Sequence, residues 1–355
     1  MAMWKKVLGG LSAAETRNTP RYATLEDELD GEMKFWWQPL QEAIAGGKIH
    51  EYAPVQEFLR KSALMNEEAF AEEYREIRNS VEGAPWFQAA LTPQTAATKE
   101  KNRYRDVLPF EKTRVRLRPQ TNDPAGDYIN ANFIFEDQYI ACCAPTPNAI
   151  VDFWSMVWYE NVHVILMLTN FVERQMLKAD MYWDTKGQIV DVGEITIQLK
   201  QVEVSSRGYT IRTIELTHRS LSTKRTLYHV QLTTWPDHGV LQDFGVIQPM
   251  LRLVKGLNQR NRCESDPQLP RPIVVHCSAG IGRSGTFIAI DTILKQLREA
   301  ATSLSNPDTA ERLANALNIR SIVHRLRCQR PGMVQTTEQY QMIYEYIRAV
   351  LAGQS

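Results

Sequence analysis

The chain has 355 residues, and its 41 lysines and arginines balance 41 aspartates and glutamates. No excess of charge points to nucleic acid or to a polybasic membrane anchor, and no apolar run reaches the length of a membrane span. Five cysteines without metal-ligand spacing argue against a disulfide framework or a zinc site. The length suits one large α/β domain with an extension, or two smaller domains.

The start, Met1-Ala-Met-Trp-Lys-Lys, lacks the apolar core of a secretion signal, and Ala2 stands where a myristoylation signal needs glycine. A reduced, cytoplasmic protein is therefore expected. Up to about Gly47, Trp36-Trp37 and the Gly46-Gly47 pair predict a short helical element and a break. From Val55 to Asn79 the pattern is helical, with Phe70, Tyr74 and Ile77 spaced four and three apart. Ala84 to Thr98, with Pro85 and Pro93, reads as an irregular connection. Lys101 to Phe110 reads as a basic loop with Tyr104 partly packed, and Asp127 to Asn132 alternates as a buried edge. The adjacent Cys142-Cys143 puts an extra thiol near the core, where packing is the expected role and redox chemistry the alternative.

Phe153–Trp158 reads as a helix and Val162–Leu168 as a mostly buried strand. Ile195, Ile197 and Leu199 alternate, as do Thr226, Tyr228, Val230 and Leu232, with Ile211 on another candidate strand. These elements predict an α/β fold: a highly twisted mixed β-sheet flanked by helices. Strand 226–232 runs into Trp235-Pro-Asp-His-Gly239, whose placement suits a movable loop delivering a carboxyl group from Asp237, with His238 competing on pKa grounds. Gln259–Pro272 reads as a polar surface insertion, and Asn306–Asn318 as a local elaboration before Ile319–Arg330. The last helix opens after Arg330 and carries Tyr340, Ile343, Tyr344 and Ile347 at helical spacing.

The most informative stretch is Ile273-Val-Val-His-Cys-Ser-Ala-Gly-Ile-Gly-Arg-Ser-Gly-Thr286. A β-branched run leads into His276 and Cys277, and Ile290, Ile293, Leu294 and Leu297 then follow a helix period. The predicted phosphate-binding loop therefore lies between a central strand and a helix. Its glycines let successive N–H groups turn inward at a helix N-terminus, and Arg283 adds a planar fork for two phosphate oxygens. A cysteine at the lip of such a cradle is expected to be largely thiolate and nucleophilic. A nucleotide-binding loop is disfavoured, since there is no Gly-Lys-Ser/Thr ending and no G-x-G-x-x-G pattern.

His276-Cys-Ser-Ala-Gly-Ile-Gly-Arg-Ser-Gly285 resembles the signature loop of the cysteine-dependent protein tyrosine phosphatases, in their tyrosine-specific branch. The resemblance runs from about Phe70 to about Leu351 and implies a non-receptor enzyme with one catalytic domain at 51–355, preceded by an N-terminal helical extension, 1–50. Phosphotyrosine-containing proteins would be the substrates, phosphate or other oxyanions would occupy the loop, and no cofactor or metal is called for. Cys277 would be the nucleophile, with Ser278, Ala279, Gly280, Ile281, Gly282 and Arg283 binding phosphate and His276 tuning the cysteine by hydrogen bonding. Lys101–Phe110 is similar to the phosphotyrosine-recognition loop, which makes Tyr104 a wall of the slot and Asp106 an acceptor for the substrate backbone. Trp235-Pro-Asp237 is similar to the acid loop, which makes Asp237 the general acid and Trp235 a hinge position. By the same resemblance Glu173 holds Arg283, Lys178 bonds to the closed acid loop, Ser284 stabilises the departing thiolate, and Gln335 with Gln339 positions water. One departure is local: the family usually has Gln-Gly before Pro145, where this chain has Cys143-Ala144. A dual-specificity phosphatase, a phosphoinositide phosphatase, a non-catalytic phosphotyrosine-binding module and a scaffold remain as alternatives. The Tyr104 loop, the neutral Ser278, Ala279, Ile281 and Gly282, and the intact Cys277, Asp237 and Arg283 weigh against the first three.

Overall fold

The computed structural model describes residues 24–118, 125–136, 138–236, 239–241, 243–260 and 271–354. The strands of its main sheet are β1 (Arg114–Arg116), β2 (Tyr128–Ile134), β3 (Tyr139–Cys142), β4 (Val164–Met167), β7 (Val190–Val192), β8 (Ile195–Val204), β9 (Tyr209–His218), β10 (Lys224–Leu232) and β11 (Ile273–His276). Strands β5 (Val172–Glu173) and β6 (Met176–Leu177) form a separate hairpin. The sheet order is β1-β2-β3-β11-β4-β10-β9-β8-β7. Its middle, β3, β11, β4 and β10, is parallel, and both flanks are antiparallel. The parallel centre is covered on both faces, which is why β4 and β11 are buried at every position and apolar at every position but His276. On the outer strands β8 and β9 burial alternates instead.

The helices are α1 (Leu25–Ala45), α2 (Ala53–Leu64), α3 (Glu67–Glu82), α4 (Phe87–Ala90), α5 (Ala96–Lys101), α6 (Ile150–Tyr159), α7 (Ile247–Gln259), α8 (Gly282–Ala301), α9 (Thr309–Leu317), α10 (Ile319–Gln329) and α11 (Thr337–Leu351). One sheet face packs Leu166, Val230 and Val275 against Phe287, Ile293 and Tyr340. The other packs Ile165, Val274 and Leu227 against Phe153 and Trp154 of α6. Ile290, Ile293, Leu294 and Leu297 of α8 are all buried, as their spacing predicts.

Several expectations need correction. The Val55–Asn79 stretch is two helices, because Asn66 leaves the helix and accepts the Ala69 N–H at 2.9 Å to cap α3. The connection from Ala84 to Thr98 contains α4 and the start of α5, which Thr95 caps. Asp127–Asn132 lies in or beside β2, one strand in from the edge. The 306–318 elaboration is α9, packed on α8 with Leu313 and Ala316 buried. Most of the 259–272 insertion lies outside the described residues.

The short element expected near Trp36 is instead a helix of 21 residues. Thr24 and Asp27 form its capping box, and the positive φ of Gly47 follows its end. Leu29, Met33, Trp37 and Leu40 recur at helical spacing and are buried. They do not build a core of their own: Leu29, Trp37 and Leu40 share one with Ile293 and Val254. Gly256 of α7 leaves room for the side chains of α1, since a Cβ there would lie 2.9 Å from Leu29 Cδ2 and 3.1 Å from Met33 Cγ. Charge fixes the same helix, through Arg260–Glu28 at 2.7 Å and Arg207–Glu26 at 2.6 Å. A boundary between residues 50 and 51 therefore separates no two cores among the described residues.

Candidate active site

Strand β11, at the centre of the parallel strands, delivers His276 and Cys277 to the carboxyl edge of the sheet, where open α/β sheets place their ligands. The chain then turns through Ser278–Ile281 and enters α8 at Gly282. Gly280 has φ +69, and a Cβ on it would overlap the backbone carbonyl of Cys142. Both conditions require glycine. Gly280→Ala is expected to cost on the order of 3 kcal/mol of stability and to collapse activity, readable as a lower Tm and lost phosphate protection.

Beneath the loop lies Arg330, fully buried. It donates to Gly280 O at 2.9 Å and Ala279 O at 3.0 Å, and is itself held by Asn132 Oδ1 at 2.8 Å and Asn130 Oδ1 at 2.9 Å. Drawing those carbonyls inward turns the N–H sides of the same peptide units toward the cleft, which is the anion-binding arrangement. Nothing in the sequence marked Arg330 for this task. The alternation around Asn130 and Asn132 hinted only at a buried strand.

Cys277 is 4% exposed and borders a cavity of about 130 Å³. Burial works against its thiolate, yet its pKa is lowered. The Arg283 charge opposes burial most, followed by the Ser284 hydroxyl and the N–H groups of Ser284 and Ile281. The Ser284 hydroxyl is buried without an oxygen or nitrogen partner among the described residues, which leaves it for the sulfur. Burial pushes the His276 imidazole down to about 4, so the ring is neutral near pH 7. Its Nδ1 lies 2.9 Å from Cys277 O and its Nε2 2.8 Å from Tyr182 Oη. Neither bond reaches the sulfur.

Arg283 opens the first turn of α8 with 2% of its side chain exposed. Glu173 grips it with two bonds, Nη1–Oε1 at 2.8 Å and Nη2–Oε2 at 3.1 Å. The Glu173 carboxyl is raised by burial but held below its usual range overall by Arg283, the Asn170 N–H and Thr169. Arg283 also donates to Trp235 O at 2.9 Å and to Thr169 Oγ1 at 3.2 Å. Trp235 in turn donates from its indole to Gly239 O at 3.1 Å. Asp237 and His238, between those two residues, lie outside the described residues.

The cavity walls come from distant parts of the chain. Tyr104, Asp106, Val107, Lys178, Gln335 and Gln339 line it together with Cys277, Ser278, Ala279, Gly282 and Arg283. Tyr104 Oη bonds Ser278 Oγ at 2.8 Å, and Ser278 Oγ donates to Lys178 O at 2.6 Å, so the tyrosine wall is pinned to the loop. Gln339 is buried, its Oε1 accepts the Gln335 N–H at 3.0 Å, and its Nε2 has no acceptor among the described residues. Gln335 itself is exposed. Of the predicted site residues, Gly280 and Ile281 shape the loop without lining the cavity, while His276, Ser284, Glu173 and Trp235 lie behind it.

A thiol lowered by a clamped arginine, at the end of a cavity walled by Tyr104, is suited to meeting a phosphate group. The protein-tyrosine phosphatase profile matches residues 98–349. The chain belongs to the protein-tyrosine phosphatase family. It is 36% identical over 289 residues to human receptor-type tyrosine-protein phosphatase eta, covering 80% of this chain and 20% of that protein. It is 34% identical over 327 residues to Drosophila melanogaster tyrosine-protein phosphatase 99A, covering 87% and 23%. The chain thus spans between a fifth and a quarter of the length of these curated relatives. Among solved structures it resembles the catalytic domain of human protein tyrosine phosphatase non-receptor type 18, with 28% identity and a TM-score of 0.68. That match covers 83% of this chain and 99% of the solved domain. The fold, a mixed sheet flanked by helices, is that of this phosphatase family. No helix among the described residues is long and apolar enough to cross a membrane.

Proposed function

We propose that this chain hydrolyses phosphotyrosine in proteins through a phosphocysteine intermediate. The observation that carries the reading is the Cys277 thiol, lowered despite burial at the head of a cradle whose arginine is clamped by Glu173. Cys277 sulfur attacks phosphorus, while the loop amides from Ser278 to Arg283 and the Arg283 fork stabilise charge spread over the equatorial oxygens. Asp237 protonates the leaving phenolate and then serves as base for a water aligned by Gln335, with Gln339 beside it. Ser284 stabilises the departing thiolate, and Lys178 bonds to the closed acid loop. Asp106 accepts a hydrogen bond from the substrate backbone. The loop dipoles and Arg283 supply the positive field, so the reaction is assigned no metal. A reactive thiol with two further free cysteines near it, Cys142 and Cys143, suits a reducing compartment, and we assign the protein to the cytoplasm.

Depth sets the specificity in this reading. Tyr104 raises the wall of the cavity, so a phosphoserine is too short to bring its phosphorus to Cys277. Initial rates on matched phosphotyrosine and phosphoserine peptides, without added metal, test this directly. Strong preference for phosphotyrosine is expected, and equal rates would overturn the deep-slot role of Tyr104. Asp237→Ala is expected to lower kcat about 100-fold or more with little change in KM. A basic limb that persists in its pH–rate profile would exclude Asp237 as the acid.

A further inference from the structure

Cys143 is a buried free thiol that the proposed mechanism does not use. Strands β3 and β11 are parallel neighbours, and Cys142 pairs with His276. Two residues on along both strands, the Ala144 N–H donates to Ser278 O at 3.0 Å. Cys143 is bracketed by these two links, so its backbone lies beside that of Cys277. Adjacent strands run ~4.8 Å apart, inside the ~4.4–6.8 Å between Cα atoms that a disulfide accepts.

The faces agree as well. Tyr139 and Ala141 belong to the same core as Val275 and Cys277, whereas Ile140, Cys142 and Ala144 belong to the opposite one. Alternation along the strand puts Cys143 on the Cys277 face and Cys142 behind the sheet. Cys143 Sγ already touches the signature loop, 3.2 Å from Ala279 O. Burial pushes its thiol up; the Arg330 charge, with Nη2 3.7 Å from the sulfur, opposes that rise, and the Cys277 charge adds to it, as expected of near neighbours.

We propose that Cys143 is the resolving thiol for an oxidised Cys277, so that hydrogen peroxide converts the pair into a reversible disulfide that closes the phosphate cradle. The inference rests on the reading of Cys277 as a reactive thiolate. In the first step the Cys277 thiolate attacks one peroxide oxygen, the O–O bond breaks and hydroxide leaves, giving a sulfenic acid. Sulfur is oxidised by two electrons and peroxide is reduced. In the second step Cys143 sulfur attacks Cys277 sulfur and the S–S bond forms as the S–O bond breaks. The departing hydroxide takes the Cys143 proton and leaves as water. An added dithiol returns both thiols by a two-electron reduction. The disulfide protects Cys277 from further oxidation to the sulfinic acid, which a dithiol does not reverse.

The test is mild peroxide treatment of the full chain, alkylation of free thiols, and peptide mass spectrometry, beside Cys143→Ser and Cys142→Ser. A linked peptide pair joining the Cys142-Cys143 segment to Cys277 is expected in the wild type and in Cys142→Ser, and none in Cys143→Ser. After dithiol treatment, Cys143→Ser should recover about fivefold less activity than wild type, with sulfinic Cys277 in its place. A link that survives in Cys143→Ser but disappears in Cys142→Ser would overturn the proposal. So would a Cys277 peptide lighter by two hydrogens with no partner, the mark of cyclisation onto a backbone nitrogen. The linked peptide is read without any turnover. Its presence in a chain inactive on phosphotyrosine would sink the phosphatase reading and leave this proposal standing.

Discussion

Cys277→Ser is expected to lower turnover of a phosphotyrosine peptide by roughly 10⁵-fold or more while leaving the peptide bound. The two outcomes come from different parts of the site. Turnover needs an ionised nucleophile, and the Arg283 charge with the donors from Ser284 and Ile281 moves a thiol toward that state. A serine hydroxyl starts from a far higher pKa, and the same donors do not bring it into range. Binding needs the inward amides and the Arg283 fork, and those are held from behind by Arg330, Glu173 and Trp235, which the substitution does not touch. Removing a buried thiolate also removes a negative charge facing the incoming phosphate, so affinity should hold or rise. Isothermal titration with the phosphopeptide and single-turnover assays check the two halves separately. Residual turnover at a few per cent of wild type would remove Cys277 as the nucleophile.

The parts of this site that follow one another along the chain were readable from residue types and spacing. His276, Cys277, Gly280 and Arg283 stand within a single strand–loop–helix unit, and the geometry of that unit is nearly implied by its glycines and its following helix period. The central strands were readable for a related reason: burial on both faces leaves uninterrupted apolar runs. The supports were not. Arg330 reaches the loop carbonyls only because β2 brings Asn130 and Asn132 to the same place, and no local pattern encodes that meeting. The Tyr182 hydroxyl that bonds His276 comes from the segment after the β5–β6 hairpin, and a second imidazole on it, His229, comes from β10. Helix α1 was underestimated because Gly31 and Pro39 interrupt a pattern whose apolar residues find their partners on α7 and α8. The roles of Tyr104, Asp106 and Gln335 came from the family resemblance. Their own residue types are equally at home on an ordinary surface.

Arg283→Lys keeps the charge and tests what the geometry of the fork contributes. Arginine here spans Glu173 with two parallel bonds and also reaches Trp235 O and Thr169 Oγ1, all at one planar group. A lysine ammonium is a point donor on a flexible stem, so it serves Glu173 or the substrate phosphate but not both in fixed register. kcat is expected to fall about 1000-fold, the scale of losing pre-organised donors to the transition-state oxygens. A second effect has a definite sign. Arg283 is the strongest influence lowering the Cys277 thiol against burial, so moving the positive charge away raises that thiol. The thiolate is the competent form, and activity rises as pH passes upward through the thiol pKa of the free enzyme. The acid limb of kcat/KM should therefore move to higher pH in Arg283→Lys, and so should the pH dependence of Cys277 alkylation by iodoacetate. Because alkylation needs no phosphate, a rate loss without movement of either limb would confine Arg283 to substrate binding. Movement of both limbs together would tie the arginine to the nucleophile as well as to phosphate.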